Sequence, residues 1–284
     1  MPDAVPQPRG AVKQLGTLTR RYIRVIASDR GYLTITALVP ILLGGLIRFF
    51  PSKEGLAGKP GTNTGALELL VILVICACLA GAFSSGRELV KERNIYIRER
   101  AAGLSSGAYL TSKLLVLGVI SIVQSVVLTL LVLAGRTMPP HGAVLGSPLL
   151  ELTIAIAMVG LASMCLGLLV SAMVNTSEKA MPILVVLTLF QVVLCGALLS
   201  LGGTAGLNQL AWLAPSRWGF AAVAATVNLN VINPAIPGNF TDPLWQHSAS
   251  NWLRDIGILV GLAVIFSLLA WVKLRSMGPR RRRG

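Results

Sequence analysis

The chain has 284 residues, of which 54% are hydrophobic and 13% charged, with a formal net charge of +14 and a mean hydropathy of +0.73. A soluble domain carries about 25% charged residues, so this is the composition of a membrane protein. The Lys and Arg residues sit in blocks between apolar runs and form no single stripe, which excludes a nucleic-acid binder and fits charge that sets topology.

The first ten residues contain Pro2, Pro6 and Pro8 and no apolar core, so no cleavable signal peptide is expected. Residues 13–30 read as an amphipathic helix. Leu15, Leu18, Tyr22, Val25 and Ile26 fall on one face, and Lys13, Thr17, Arg20, Arg21 and Arg24 on the other. A basic polar face of this kind places the helix at the membrane surface, within a cytoplasmic segment covering residues 1–30.

A six-span domain follows over residues 31–273, with spans at about 31–49, 69–90, 110–135, 152–174, 181–201 and 253–273, each near the roughly 17–25 residues that cross a bilayer. Pro40 kinks the first, which a bundle tolerates. In the fourth, Ser163, Gly167 and Ser171 recur at a spacing that lets helices approach closely, as do Gly257 and Gly261 in the last. Asn175–Lys179 forms a tight polar turn in which Ser177 is a candidate cap for the fifth span. Residues 202–251 are semi-apolar, with Trp212, Trp218 and Trp245, too broken for a full span but suited to the extracytoplasmic interface or to dipping into it. Asn239-Phe240-Thr241 has the form of a glycosylation acceptor. Residues 274–284 form a basic tail.

An even number of spans places both termini on one side. All Lys and Arg except Arg48, Lys53, Lys59, Arg136, Arg217 and Arg254 then share the side of the termini, which the positive-inside rule makes cytoplasmic. The Arg-, Ala-, Gly-, Val- and Leu-rich composition suggests a bacterial plasma membrane.

Catalytic chemistry is hard to find. There is no phosphate-binding loop, zinc-protease motif or nucleophile elbow. The two histidines, His141 and His247, fall outside the membrane. Cys76, Cys78, Cys165 and Cys195 lie inside apolar runs without a pairing framework and read as packing residues. No catalytic residue, metal site or bound cofactor is expected. A proton- or ion-coupled carrier needs charges near the bilayer midplane, yet Glu68, Glu151 and Asp255 stand at span ends, where an interfacial role is expected. The span interiors suit an apolar or amphipathic cargo, so energy for transport has to enter from the cytoplasm.

The only large cytoplasmic feature is a charged island at residues 88–113. There Lys91, Arg93, Arg98 and Arg100 alternate with Glu88, Glu92 and Glu99. Near-balanced charge suits a surface that meets another protein, because complementary charges set register and partner choice. A solvated loop, or a helix surface with ion pairs of about 0.3–0.5 kcal/mol each, is the plainer reading.

Within the island, Glu92-Arg93-x-x-Tyr96-x-Arg98-Glu99-Arg100-x-x-Gly103-x-Ser105 resembles the segment after the second span in ABC export permeases of the White/pleiotropic-drug-resistance type. The resemblance covers about the whole chain. Asn175-Thr176-x-x-Lys179-Ala180 is similar to the family's fourth connection, and Pro215-Ser216-Arg217-Trp218 to its Pro-x-Arg-aromatic signature. Many relatives carry an acidic residue shortly after that signature, where Ala222 stands here.

The resemblance implies an all-α exporter subunit, working as a dimer with a hydrophobic or lipid-like cargo between the copies. The segment Arg98–Gly107 would be a coupling helix on a nucleotide-binding domain, and that domain, on another chain or a further part of a longer one, would hold ATP and Mg. The helix at residues 13–30 would lie along membrane lipids and touch the same domain. Glu99 and Arg100 are then candidates for docking, and Glu92 and Arg93 for holding the second span against the N-terminal helix. Phe83, Phe190 and Gln191 are candidates for the cargo path. A scaffold or sensor that recruits a cytoplasmic partner through the same island is the alternative from another class.

Overall fold

The computed structural model describes residues 11–49, 55–58, 61, 63, 65–198, 206–233 and 242–277. The expected basic tail beyond Met277, the 199–201 end of the fifth span and the Asn239-Phe240-Thr241 pattern lie outside them.

The described residues are helical, without strands. An amphipathic helix, α1 (Ala11–Ser28), precedes α2 (Arg30–Arg48). Asp29 separates them: its N–H closes α1 on the carbonyls of Val25 and Ile26, and its side chain accepts from Tyr32 N at 2.9 Å to cap α2. Then come α3 (Gly65–Ser85), α4 (Glu88–Lys91), α5 (Arg93–Ala101), α6 (Ser106–Leu133), α7 (Pro148–Met173) and α8 (Ser177–Leu194). Short α9 (Leu207–Ala211), α10 (Pro215–Val227), α11 (Leu229–Ile232) and a 3-10 turn at Pro243–Trp245 lead into α12 (Ala249–Ser276). Among the described residues, six segments are long and apolar enough to cross a membrane: α2, α3 with α4, α6, α7, α8 and α12.

The spanning helices begin up to about a turn before the apolar runs that predict them, because capping polar residues belong to the helix or flank it. Ser105 caps α6 through its side chain, which accepts from Ala108 N. Ser177 does not cap α8: it is the first helical residue, and the cap position falls to Thr176, without a side-chain bond.

Helices α3 and α7 form the centre of the bundle and are its most closely packed pair. Glycine makes this possible. A Cβ on Gly81 would stand 2.2 Å from Gly160 O, and one on Gly167 would stand 2.5 Å from Ala82 O. The expected close approach along Ser163, Gly167 and Ser171 is therefore present. Gly257 and Gly261 behave differently: a Cβ on either meets nothing within 4 Å. They face away from the chain's own core, so this pair does not bring α12 against a neighbour within the chain.

The connection before α12 is more deeply embedded than its broken hydropathy suggests. All 13 residues of α10 are buried, against α7, α12 and α3. Trp218, Trp245 and Trp252 are buried with it, and Trp212 alone of the four tryptophans in this region is exposed. Two of the three carboxylates expected at the interface, Glu151 and Asp255, are internal as well. Glu151 is fully buried and accepts from Ala143 N at 2.8 Å and from Val144 N and Leu145 N at 2.6 Å each. It ties down the preceding loop, as a buried charge requires. Asp255 is fully buried and pairs with Arg254 at 3.0 Å. Glu68 is exposed, at the start of α3.

Candidate coupling site at the base of the bundle

One end of the bundle gathers α1, α4, α5, the start of α6, the α7–α8 turn and the end of α12. The charged island folds there as two short helices that break at Glu92. The expected coupling helix at Arg98–Gly107 is displaced: helix covers Arg93–Ala101, Gly103 turns the chain at φ 101°, and Ser106 already begins α6. The left-handed φ at Gly103 explains the break, since side chains beyond glycine rarely adopt it.

Much of the island's charge is turned inward. Lys113, 2% exposed, pairs with Glu92 at 2.8 Å and Glu88 at 3.5 Å. Tyr109 donates to Glu92 at 2.9 Å and Tyr22 to Glu88 at 2.5 Å. Burial first, then the Glu88 carboxylate, hold the Tyr22 hydroxyl protonated well above the usual phenol range. Charges this far from water persist only when paired and hydrogen-bonded. The expected link between the island and α1 thus exists with different partners. Glu88 holds Tyr22, Glu92 holds α6, and Arg93 donates to Val174 O at 3.1 Å and to the Asn175 side chain on the α7–α8 turn.

Tyr96 is buried, stacks on Tyr109 at 4.8 Å and donates to Leu274 O at the end of α12. Ser171 Oγ accepts from Leu89 N at 2.9 Å and Val90 N at 3.0 Å, fixing α4 on α7.

At the outer layer of this base, Arg21 of α1 pairs with Glu99 of α5 at 2.7 Å. The hydrogen bond to Glu99 raises the guanidinium pKa above its ordinary value. Gln14 Oε1 accepts from Ser105 N at 3.0 Å, and Arg100 donates to Leu104 O at 2.8 Å, closing the turn after α5. Arg98, Ala101, Ala102 and Gly103 are exposed, with Asn94 and Ile97. On α1, Tyr22 is buried while Arg20, Arg21 and Arg24 are exposed; Val25, expected on the packed face, is exposed too.

The remaining candidates are not brought together. Arg217 and Trp218 lie on α10 at the opposite end. Arg217 pairs with Asp242 at 2.7 Å, Trp218 donates to Trp212 O, and Pro215 opens the helix at its first position, where a missing N–H costs nothing. Gln191 is buried beside them, its carbonyl accepting from Ser216 at 2.7 Å, whereas Phe190 is 57% exposed on the outer face of α8. Phe83 lies towards the base, on a cleft between α2, α3 and the start of α8. Lys113, Tyr109, Ser171 and Gln14 escaped the sequence reading as site residues. A lysine two turns into an apolar helix does signal a buried partner, but it names none.

Among the described residues, no three His, Cys, Asp or Glu side chains lie together as a metal site. Six apolar helices among the described residues, around a polar, cross-linked base, define an integral, multi-pass membrane domain. The chain belongs to the ABC-2 type transporter family, which it matches over residues 13–228, from α1 through α10. It is similar to the ABC transporter ATP-binding/permease protein Rv1747 of Mycobacterium tuberculosis, at 40% identity over 269 residues, covering 92% of this chain and 30% of that protein.

Proposed function

We propose that the chain is the membrane subunit of an ATP-driven exporter of the White/pleiotropic-drug-resistance type. It would move a hydrophobic or lipid-like compound across a bacterial plasma membrane with both termini in the cytoplasm. Residues 92–107 receive a nucleotide-binding domain, which holds ATP and Mg, and two permease copies enclose the path. The relative's name joins ATP-binding and permease functions, so the ATPase belongs either to a second chain or to a further part of a longer one.

The observation that carries this reading is the layering of the base. Beneath the exposed α5 surface, Tyr96 and Glu92 connect α5 to α12 and α6, and Arg21–Glu99 connects it to α1. A push on α5 would thus be passed to α12 and α6 through buried, directional contacts and to α1 through a surface ion pair. Grouping of the basic segments at this same end supports the cytoplasmic assignment.

The test is ATP-dependent export by the complete transporter carrying Glu99→Lys. An exposed pair such as Arg21–Glu99 contributes about 0–1 kcal/mol to stability, so the variant should fold and reach the membrane. The reading expects export and its stimulation of ATP turnover to fall at least severalfold. Unchanged export would overturn the docking assignment, and ATP turnover indifferent to the whole chain would favour the scaffold alternative.

A further inference from the structure

The cleft beside Phe83 has a volume of about 370 Å³, and its lining includes Tyr32, Thr36, Phe83, Arg87, Gln124 and Met181. That volume is within the roughly 300–1,000 Å³ of small-molecule sites, which combine apolar walls with a few placed polar groups. Three features of the lining point to a particular ligand chemistry.

The first is an unused acceptor. Pro40 has no N–H, so it leaves the Thr36 carbonyl of α2 without its helical partner. Gln124 of α6 fills that role, donating through Nε2 at 2.8 Å. This fixes the amide's orientation and turns Oε1 to a position where it has no partner, although Gln124 is only 5% exposed. A buried acceptor left unmatched is costly, and a donor on a bound molecule would satisfy it. The second is Arg87, the residue before α4, exposed at the rim, whose guanidinium makes no hydrogen bond or ion pair among the described residues. It stands next to the Glu88 that anchors α1, at the level of the membrane boundary on the basic face. The third is the route of access, since Ile35 on the rim of the cleft is 65% exposed on the lipid-facing side of α2.

We propose that this cleft binds an amphiphile with an anionic headgroup. Its chain lies against Phe83 and Met181, its headgroup meets Arg87, and a hydroxyl or amide donor near the polar–apolar junction reaches Gln124 Oε1. The same chemistry could belong to the exported compound or to a resident membrane lipid. Assigning it to the cargo rests on the export reading; the site itself does not.

The experiment reconstitutes the full chain in vesicles with photoreactive diazirine-acyl lipids of identical chains and maps the labelled peptides. Phosphatidylglycerol offers charge and donors, phosphatidylmethanol charge without donors, and phosphatidylcholine neither net charge nor donors. Labelling at residues 79–83 should fall in that order. Arg87→Gln should reduce the preference of the two anionic probes over phosphatidylcholine by about fivefold, the effect of one interfacial charge. Gln124→Met should remove the preference for phosphatidylglycerol over phosphatidylmethanol and leave the charge preference intact. Equal labelling by all three probes, ratios indifferent to both variants, or labels confined to the outer face of α8 at Val186 and Leu189 would overturn the site. None of these readouts uses ATP, so they stand or fall apart from the Glu99→Lys result. With the nucleotide-binding domain present, label lost during ATP turnover assigns the amphiphile as cargo, and label that persists assigns it as a resident lipid.

Discussion

The ammonium group of Lys113 lies 3.5 Å from the centroid of the Tyr22 ring. A cation on a membrane helix is thereby capped by an aromatic side chain of α1, whose hydroxyl binds Glu88, one of the cation's own counter-ions. Desolvated cation–π contacts are worth up to about 2 kcal/mol. Tyr22 is thus the deepest anchor of α1 in the bundle, with Leu18 and Ile26 packed beside it and the basic face left at the surface.

Replacing Lys113 by Met should therefore be severe. It strands Glu88 and Glu92 without their cation, and breaking a buried pair costs about 3–5 kcal/mol, reduced here because both carboxylates keep some solvent contact. Thermal unfolding in detergent should drop by several degrees. Adding Glu92→Gln should recover part of the loss, and additive losses would show that the cluster is not coupled.

Exchanging the charges of Arg21 and Glu99 separates two roles. The double variant Arg21→Glu with Glu99→Arg can rebuild the α1–α5 pair, yet it presents reversed charge to any partner beneath. If the pair serves the permease internally, export returns to near the unmodified level. If Glu99 meets the nucleotide-binding domain, export stays low in the double variant, which is the outcome expected from the proposed function.

The glycines give opposite expectations. Gly81→Ala would drive a Cβ into the Gly160 carbonyl, forcing α3 and α7 apart at a cost of about 1–3 kcal/mol. Gly257→Ala and Gly261→Ala meet open space and gain roughly up to 1 kcal/mol of helix propensity. Unfolding temperatures should fall for the first and hold or rise for the others. A monomeric, folded Gly257→Ala chain in place of an oligomer would reveal that another copy covers this face of α12.

Topology can be read with a membrane-impermeant maleimide on intact cells, because the four native cysteines are buried. His141→Cys should label from outside, and Ala102→Cys only after permeabilisation; both positions are exposed. The reverse pattern would invert the assigned orientation.

At the opposite end, Arg217 and Asp242 should show a coupling of at least about 1 kcal/mol in a double-mutant cycle with Gln and Asn, since the pair is largely desolvated. A coupling near zero would mean that the Asn230 contacts to the Asp242 backbone hold this loop by themselves.

Apolar runs long enough to cross a bilayer, separated by blocks of charge, determine the number of spans and which segments share an end, because lipid leaves the backbone few alternatives to helix. The amphipathic stretch holding Tyr22 and the island motif holding Glu99 are legible for the same local reason: side-chain periodicity and charge alternation are written along the chain. Pairing is a different matter. That Glu88 receives Tyr22, that Lys113 receives Glu92, that Glu151 folds back on residues 143–145 and that Gln124 answers the carbonyl freed by Pro40 depend on where helices cross. Likewise, Gly81 and Gly257 read alike as glycines in apolar helices, and only the arrangement of the bundle presses one against backbone and leaves the other facing outward. Those distances between residues far apart in sequence are decided by tertiary packing, because desolvated charges and close-packed backbones accept only the partners that the fold brings within reach.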